Sequence, residues 1–353
     1  MANTPLNILV LAVGGNVSQG ILKALALSTL PHRVVGVDVS AAQFGLYTVD
    51  CAYVGPWASD PAFLDWLLAL CRKERIDAIL TGAEQVVQVL AANKALIESQ
   101  TGAYCCVSSQ SVIETGDDKL LTCEWLREQE FLFPAFAASE DTVALQRLRD
   151  IHGFPLIAKP RIGGGARGLF MIEDDADLEY ASRKKRYVVQ AVVGSDDTEY
   201  TAGCVTDRDG HVQGSIAMRR VLLSGTTYRA YLGDFPEVRA VAAAITKALG
   251  AEGPCNIQLR MTDAGPICFE INPRFSGTAP LRAHYGFNEV EAVLRHYVLG
   301  EAMTPMPVVT EGIALRYWNE LYVNPTAHSR LESEAMLAAP KDFPSRIEPY
   351  GMT

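Results

Sequence analysis

Hydrophobic positions in the first hundred residues recur in a strand and helix rhythm. Asn7 to Val13 is a short apolar run, Gly14-Gly15-Asn16 reads as a tight turn, and Ser18 to Ser28 has helical periodicity. Arg33 to Val39 predicts a second strand. The pattern then repeats as a helix, a strand and a helix over Pro61 to Lys73, Ile76 to Leu80 and Glu84 to Ser99. We therefore expect residues 1–115 to form a parallel sheet covered by helices.

The pattern changes after residue 115. Asp117-Asp118-Lys119 is typical of a helix start, and that helix should run to about Gln129. Strands and glycine loops then replace the regular alternation, which favours an α+β arrangement. The expected strands are Phe154 to Lys159, Gly168 to Ile172, Tyr187 to Val192, Tyr200 to Thr206 and Val212 to Arg219, and Glu237 to Leu249 is an expected helix. From Met303 onward proline and turn residues dominate, and Ile313 to Trp318 is the main strand-like stretch.

A hairpin is predicted between Asn256 and Asn272. Asn256 to Met261 alternates polar and apolar residues, and so does the second half of Ile267 to Asn272. A three-residue loop of Asp263, Ala264 and Gly265, with the glycine left-handed, would place Gln258 opposite Glu270. One face would then carry the apolar set Ile257, Leu259, Met261, Ile267, Phe269 and Ile271.

The other face of this hairpin gathers oxygen-bearing side chains. Gln258, Glu270 and Asn272 converge there, and Mg²⁺ takes oxygen ligands at about 2.0 to 2.1 Å. Glu270 and Asn272 are separated by roughly 6.6 Å along a strand, a spacing suited to a metal pair that clamps a triphosphate. The alternative is the solvent face of an amphipathic strand. Pro273 ends the strand, and Arg274 at its exit could face a transferring phosphoryl group.

A glycine-rich loop follows the apolar strand that ends at Lys159. Backbone N–H groups of Gly163-Gly164-Gly165-Ala166-Arg167-Gly168 and the Lys159 ammonium could meet a phosphate together. A flexible hairpin tip with an incidental lysine is the alternative. The P-loop pattern G-x-x-x-x-G-K-[ST] does not occur in the sequence, which excludes that class of nucleotide site.

Composition narrows the function further. The 353 residues are 49% hydrophobic and carry a net charge of −10, which argues against a nucleic-acid partner. No apolar run reaches the roughly 18 residues that span a membrane, so we expect a cytoplasmic protein with no membrane partner. The eight cysteines show no C-x-x-C spacing and are expected to be reduced and buried.

The string Gln258…Phe269-Glu270-Ile271-Asn272-Pro273-Arg274 closely resembles the metal-binding signature of the ATP-grasp superfamily, in the branch of the carbamoyl-phosphate synthase large subunit. The resemblance extends to about residue 300. It implies that Gln258, Glu270 and Asn272 are magnesium ligands and that Arg274 lies near the γ-phosphate. It also implies nucleotide-binding roles: phosphate contacts by Lys119, Lys159 and the loop Gly163, Gly164 and Gly165; adenine contacts by the backbone of Gln190, Ala191, Val192 and Val193; and a ribose contact by Glu199.

This resemblance implies an α/β domain with a Rossmann-like parallel sheet over residues 1–115, followed by a two-part ATP-grasp fold. The lid part is expected over 116–190 and the metal and nucleotide part over 191–305, with 306–353 left without a firm assignment. ATP and Mg²⁺, or Mn²⁺ in its place, are the implied cofactors. The implied reaction phosphorylates a carboxylate to an acyl phosphate that an amine, or less often a thiol, attacks. A homodimer is an expected assembly.

The substrate side is less defined. Arg219 and Arg220 are candidate catalytic residues, and Ser276, Gly277, Thr278 and Arg282 are candidate substrate contacts, because an arginine fork suits a carboxylate and a glycine turn leaves room for a ligand. A surface charge run or a structural ion pair is the alternative for each arginine. Carbamoyl-phosphate synthase has two such modules in tandem and this chain contains one. A single module more resembles amino-acid and peptide ligases, including the one that joins lysine derivatives in pyrrolysine synthesis.

Two other functions remain open. One is an enzyme that activates bicarbonate, either a carboxylase like biotin carboxylase or a carbamoyl-phosphate-synthase-like enzyme. The other is a nucleotide-binding sensory protein, because Gly14-Gly15 follows a strand and Asp38 ends the next, as in NAD sites. The dinucleotide fingerprint G-x-G-x-x-G is not met, since Asn16 and Gln19 occupy the required glycine positions.

Overall fold

The computed structural model of the protein describes residues 4–340, 343, 346 and 347. Strands and helices are numbered in chain order. The first sheet contains β1 (Leu6–Leu11), β2 (His32–Asp38), β3 (Cys51–Val54), β4 (Ala78–Thr81), β5 (Tyr104–Cys105) and β17 (Met336–Ala338). Their spatial order is β17-β3-β2-β1-β4-β5, and β1 to β5 are parallel. The expected parallel sheet is therefore confirmed.

Helices cover both faces of this sheet, and its central strand is apolar on both sides. They are α1 (Asn16–Ala26), α2 (Phe63–Glu74), α3 (Glu84–Thr101) and α4 (Gln110–Asp117), with a 3-10 turn at Phe44–Tyr47. Ile8, Leu9 and Val10 of β1 have no exposed surface, as a strand buried on both faces requires. Because β2 and β4 flank β1 on opposite sides, the chain reverses its direction of winding there. A crevice forms at such a point beyond the carboxyl ends of the strands.

A second, four-stranded antiparallel sheet carries the glycine-rich loop, and we call it the lid sheet. Its strands are β6 (Phe136–Ala138), β7 (Leu156–Pro160), β8 (Phe170–Ile172) and β9 (Tyr187–Ala191), in the order β6-β9-β7-β8. Its helices are α5 (Lys119–Glu128), α6 (Thr142–His152) and α7 (Asp175–Ser182). The Asp118 side chain accepts the N–H groups of Leu120 and Leu121, so the cap expected at the start of α5 is confirmed.

A third sheet of six antiparallel strands carries the predicted metal residues. It consists of β10 (Glu199–Thr206), β11 (Val212–Leu223), β12 (Thr226–Gly233), β13 (Pro254–Thr262), β14 (Gly265–Asn272) and β15 (Glu311–Leu315), in the order β14-β13-β10-β11-β12-β15. The accompanying helical segments are Asp196–Thr198, α8 (Pro236–Leu249), α9 (Ala279–His284), α10 (Glu289–Val293) and a π-helical turn at Leu294–Val298. Buried side chains of α8 pack beneath this sheet and fix the strands in place.

The predicted hairpin of β13 and β14 forms, and Gln258 pairs with Glu270 as expected. The loop is shorter than predicted, because Thr262 pairs with Gly265 and leaves two residues between them; Gly265 does have a positive φ of 109°. A register shift follows Gln258, so that Leu259 pairs with Cys268. Phe269 is the extra residue of this bulge.

The bulge corrects the apolar face predicted for β14. Cys268, not Phe269 or Ile267, is buried with Ile271, Ile257 and Leu259 in the core beneath the sheet. Burying each large aliphatic side chain there contributes about 1.5 to 3 kcal/mol. Phe269 lies on the opposite side of the sheet. The prediction placed it in the core because strict alternation was continued through the position where the bulge interrupts it.

The chain after residue 305 has more structure than its composition indicated. β15 extends the third sheet beside β12, β16 (Leu321–Tyr322) pairs with β18 (Arg346–Ile347), and α11 (Pro325–Glu334) leads into β17. β17 pairs antiparallel with β3, so the polypeptide returns to the first sheet.

All eight cysteines are buried and free of disulfides, which agrees with the expectation from their spacing. Among the described residues, no helix is both long enough and apolar enough to cross a lipid bilayer.

Candidate active site

One cavity of about 1090 Å³ lies where the three sheets meet. Single small-molecule sites usually enclose about 300 to 1000 Å³, so this volume leaves room for a nucleotide and a second substrate. Most residues selected from the sequence line it: Lys119, Lys159, Gly163, Gly164, Gly165, Gln190, Ala191, Val192, Val193, Glu199, Arg220, Gln258, Glu270, Asn272, Arg274, Ser276, Gly277 and Thr278.

Glu270 is the centre of the predicted metal group. Its Oε1 accepts hydrogen bonds from Gln258 Nε2 at 3.1 Å and from Asn272 Nδ2 at 2.9 Å. Burial would raise the pKa of Glu270, but Lys119, the Asn272 hydrogen bond, Lys159 and Arg220 together lower it below its ordinary value. Glu270 is therefore held as a carboxylate at neutral pH.

The donor set of this group fits a hard cation. Glu270 Oε2 and Asn272 Oδ1 have no hydrogen-bond donor among the described residues, so two oxygens are open to a ligand. Gln258 differs, because its Oε1 already accepts from Arg220 Nη2 at 2.6 Å. Gln258 thus bridges Arg220 and Glu270, and its role as a third metal ligand stays a prediction.

Two lysines flank the glycine-rich loop and Glu270. Lys119, the first residue of α5, donates from Nζ to the carbonyl oxygen of Gly163 at 2.6 Å. Lys159 Nζ lies 5.1 Å from the centre of the Phe269 ring, where a cation–π contact stabilises the ammonium. Burial lowers the pKa of Lys159, and nearby Glu270 opposes that shift. The arrangement concentrates positive charge beside a carboxylate, as a magnesium nucleotide requires.

The glycine-rich loop connects β7 to β8 and packs against two other parts of the chain. Gly165 is contacted closely by Gly225, between β11 and β12; a Cβ atom on Gly225 would lie 2.6 Å from backbone of Gly165. A Cβ atom on Gly164 would lie 2.7 Å from Glu84 Oε1. The loop therefore reaches across the cavity, with the glycines permitting the close approach.

Glu199 is tied to two arginines. Its Oε1 accepts from Nε and Nη2 of Arg220 at 3.0 and 2.7 Å, and its Oε2 accepts from Nε and Nη2 of Arg260 at 3.0 and 2.8 Å. These four bonds use the acceptor capacity of a carboxylate. A ribose contact by Glu199 stays a prediction, and it would require one arginine to release an oxygen.

The hinge residues predicted to read adenine, Gln190 to Val193, span the end of β9. Gln190 is 1% exposed, its Nε2 donates to Cys123 Sγ at 3.0 Å, and its Oε1 has no partner among the described residues. The carbonyl of Val193 accepts from Arg260 Nη1 at 3.3 Å. The segment is thus held at one end of the cavity by Cys123 of α5 and by Arg260 of β13.

Two of the predicted arginines do not belong to the cavity. Arg219 and Arg220 are neighbours on β11 and point to opposite faces; Arg219 stacks on the Tyr231 ring at 4.5 Å. Arg282 is fully buried and pairs with Glu289 at 3.1 Å. Arg219 therefore lies on the face of β11 away from the cavity, and Arg282 is held by a buried carboxylate partner; their catalytic and substrate roles stay predictions.

The segment after Pro273 positions Arg274 and the small residues of the cavity wall. Arg274 Nη2 donates to Glu84 Oε1 at 3.0 Å, and its Nη1 donates to the carbonyl of Phe275 at 3.1 Å. The hydroxyls of Ser276 and Thr278 bond each other at 2.8 Å. Gly277 is packed against the Asn16 amide, which brings the start of α1 to this wall.

The sequence interpretation missed Arg316, which follows β15 and lines the cavity. It donates to the carbonyl of Gly277 and, at 3.5 Å, to Asn16 Oδ1, and it has no carboxylate partner among the described residues. Burial lowers its pKa below the ordinary arginine value. Its place within the strand-like stretch Ile313 to Trp318 was the available signal. Arg260, which alternates with Gln258 on β13, was missed as well.

The geometry also bears on the NAD alternative. Asp38 Oδ2 accepts the N–H of Gly14 at 2.8 Å, and Oδ1 accepts the N–H of Val39 at 2.7 Å. Both oxygens therefore close the turns after β1 and β2. The pair that resembled an NAD site has a structural explanation.

Comparison with known families identifies two segments of the chain. Residues 8–102 match the family described as "PylC-like, N-terminal domain". Residues 190–321 match the family described as "ATP-grasp in the biosynthetic pathway with Ter operon".

Similar proteins include the carbamoyl phosphate synthase large chain of Halobacterium salinarum, 24% identical over 81% of this chain and 29% of that protein. The D-alanine–D-alanine ligase of Corynebacterium urealyticum is 26% identical over 35% of this chain and 41% of the ligase. The chain thus spans less than half the length of these relatives.

Solved structures share the fold at lower identity. An N5-carboxyaminoimidazole ribonucleotide synthetase in complex with ADP matches with a TM-score of 0.68 and 14% identity, over 89% of this chain and 83% of that one. Biotin carboxylase from Campylobacter jejuni matches with a TM-score of 0.68 and 17% identity, over 90% and 76%. The likeness to these structures shows the fold, and the family match over residues 190–321 is to an ATP-grasp domain.

Proposed function

We propose that the protein is an ATP- and Mg²⁺-dependent carboxylate–amine ligase that works through an acyl phosphate. One observation carries the proposal: the open oxygens of Glu270 and Asn272 face the same cavity as Lys119, Lys159 and Arg274. Phosphoryl transfer requires oxygen ligands that hold the metal ion and cationic side chains that bind the phosphates.

Different residues would bind different parts of the nucleotide. Lys119 and Lys159 would hold the phosphates with the N–H groups of the glycine-rich loop, and the segment from Gln190 to Val193 would take the base. Glu270 and Asn272 would hold Mg²⁺, with Gln258 as the predicted third ligand. When bound, the ion would neutralise charge on the phosphate oxygens.

The transfer requires no covalent intermediate with the protein. A carboxylate oxygen of the acid attacks the γ-phosphorus while the bond to the β,γ-bridging oxygen breaks, and ADP leaves. The amine nitrogen then attacks the acyl carbon, inorganic phosphate leaves and the nitrogen loses a proton. Arg274 would stabilise charge on the transferring phosphoryl group, and the closed loop would exclude water.

Arg316 is the cation best suited to hold the acid. It has no carboxylate partner among the described residues, and its guanidinium lies beside Gly277 and Asn16 in the cavity wall. An arginine fork can bind a carboxylate in bidentate geometry. Ser276 and Thr278 would contribute hydroxyl contacts at the same wall.

A screen of ATP turnover tests this function. Phosphate and ADP release would be measured with pairs of carboxylates and amines and, separately, with bicarbonate. We expect release that requires both an acid and an amine, in equal amounts with amide product. Release with bicarbonate alone would replace the proposal by a bicarbonate-activating carboxylase, and tight NAD(H) binding without any effect of ATP on the melting temperature would replace it by a nucleotide sensor.

A further inference from the structure

The cavity extends beyond the nucleotide region to the carboxyl edge of the first sheet. We call this extension the apolar arm and define it by Val39, Pro56, Trp57, Ala58 and Phe63. These residues follow β2 and β3 or begin α2. The arm thus occupies the crevice at which parallel sheets bind ligands.

The arm differs from the rest of the cavity in charge. The cavity-lining residues numbered below 100 include no lysine or arginine, and they include two carboxylates, Asp38 and Glu84. The cations of the cavity all come later in the chain: Lys119, Lys159, Arg167, Arg220, Arg260, Arg274 and Arg316. A phosphate or carboxylate is therefore disfavoured in the arm, while a cationic or neutral group is favoured.

Trp57 gives the arm an accessible aromatic surface. It is 63% exposed, and the loop that carries it is ordered by hydrogen bonds from Gly55 N to Asp38 O and from Asp60 N to Trp57 O, both 2.9 Å. An exposed tryptophan in a cavity suits an aromatic or aliphatic partner and can also contact an ammonium. Phe63 also lines the arm and is buried.

Glu84 joins the arm to the reacting region. Its Oε1 accepts from Arg274, while its Oε2 has no hydrogen-bond donor among the described residues. A free carboxylate oxygen beside the arginine of the phosphoryl group is placed to accept an N–H of an amine. Asp38, the other carboxylate, has both oxygens engaged by backbone N–H groups.

We propose that the apolar arm binds the acceptor amine, and that this amine carries an aromatic or aliphatic side chain and no phosphate. The side chain packs on Trp57 and the nitrogen is directed to Glu84. This inference rests on the proposed ligase function and names the class of its second substrate. The acid is held by Arg316, beside Gly277 and Asn16.

Amine binding can be measured without turnover. The full chain with Mg²⁺ and the non-hydrolysable ATP analogue AMPPNP would be titrated calorimetrically with L-phenylalaninamide, L-leucinamide, glycinamide and O-phosphoethanolamine. We expect the first two to bind at least about tenfold more tightly than the last two. Equal or tighter binding of glycinamide or O-phosphoethanolamine would overturn the proposal.

Variants separate the arm from the rest of the protein. Trp57→Ala should weaken binding of L-phenylalaninamide about tenfold, Trp57→Phe should restore most of it, and Glu84→Gln should weaken all amines. Trp318→Ala is the matched control, because Trp318 is 88% exposed and does not line the cavity. Unchanged binding in Trp57→Ala would overturn the proposal.

The same variants distinguish its failure from that of the ligase function. Apolar amines that bind at Trp57 without ever supporting amide formation would keep the site and refute the ligase. Amide formation from other amines, with Trp57→Ala fully active, would keep the ligase and refute the apolar arm.

Discussion

Arg274 donates a hydrogen bond to Glu84, with Nη2 3.0 Å from Oε1, and so connects the segment after β14 to the first residue of α3. Both side chains are largely buried in the cavity wall. The contact fixes the guanidinium from the first domain. The first domain therefore takes part in the site through a specific ion pair and not only by packing.

Loss of this ion pair should affect turnover more than nucleotide binding. Glu84→Gln keeps the shape of the side chain but removes the charge that orients Arg274, so we expect kcat to fall about tenfold with the KM for ATP within about twofold. Steady-state kinetics would measure both constants. Glu128→Gln, an exposed residue of α5, is the control. A rise of about tenfold in the KM for ATP with kcat unchanged would show that Glu84 only supports nucleotide binding.

Glu270→Gln should abolish most activity while leaving the fold intact. Glu270 supplies the only negative charge in its hydrogen-bonded group with Gln258 and Asn272. Loss of that charge should therefore remove about 3 to 4 kcal/mol of transition-state stabilisation. Mg²⁺ titration of turnover and thermal melting would be compared. Full ATP-dependent turnover in this variant would remove the metal assignment.

The lowered pKa of Glu270 predicts how the site responds to acid. A carboxylate with a depressed pKa contributes stability that is present above its unfolded pKa and is lost as the pH falls through its folded value. Mg²⁺-dependent ATP binding should therefore persist below the ordinary titration range of a glutamate. Calorimetric binding between pH 3 and pH 7, a window of about four units, would test this, and loss of binding above the ordinary glutamate pKa would contradict it.

Lys159 should make ATP binding sensitive to alkaline pH. Burial lowers its pKa, so the ammonium is lost at a lower pH than that of an ordinary lysine, and ATP affinity should fall as the pH rises through this value. The free energy of unfolding should rise over the same range, because the unfolded chain then binds more protons than the folded one. Lys159→Arg should retain ATP affinity at high pH, whereas Lys159→Ala should lack it throughout. An ATP affinity that is unchanged in Lys159→Ala would refute the phosphate contact.

Arg282 and Glu289 predict a purely structural effect. Both side chains are 1% exposed, and the guanidinium lies over Gly203, where a Cβ atom would clash with it. Glu289→Ala leaves a buried, unpaired arginine and should lower the free energy of unfolding by about 3 to 5 kcal/mol. Denaturant unfolding would measure the loss. At a temperature where the variant is folded, its ATP affinity should equal that of the native protein, and a selective loss of affinity would return Arg282 to the site.

The hairpin shows how far sequence alone could predict this site. Gln258 was predicted opposite Glu270 from a three-residue loop without a bulge, and this pair forms because the loop is one residue shorter and the bulge at Phe269 adds one residue back. The bulge at Phe269 was not predictable, because Cys268 and Phe269 are both apolar and only packing against α8 decides which one enters the core. That one-residue shift places an aromatic ring beneath Lys159.

The missed residues have a different cause. β15 and β17 are short strands at the edges of sheets, and their stability comes from pairing with residues far away in the sequence. Arg316 could be recognised as a cavity residue only after β15 was placed beside β12. Arg219 and Arg220 show the reverse case: a strand was predicted from Val212 to Arg219, but it continues to Leu223, and the face of each arginine was not assigned.

The isotope content of the released phosphate tests the acyl phosphate most directly. An acid that supports turnover in the screen would be labelled with ¹⁸O in its carboxylate and incubated with ATP, Mg²⁺ and the amine, and the phosphate would be analysed by mass spectrometry. We predict one ¹⁸O atom in each phosphate derived from fully labelled acid, because the carboxylate oxygen that attacks the γ-phosphorus leaves with it. Unlabelled phosphate, or ¹⁸O in AMP, would contradict the mechanism.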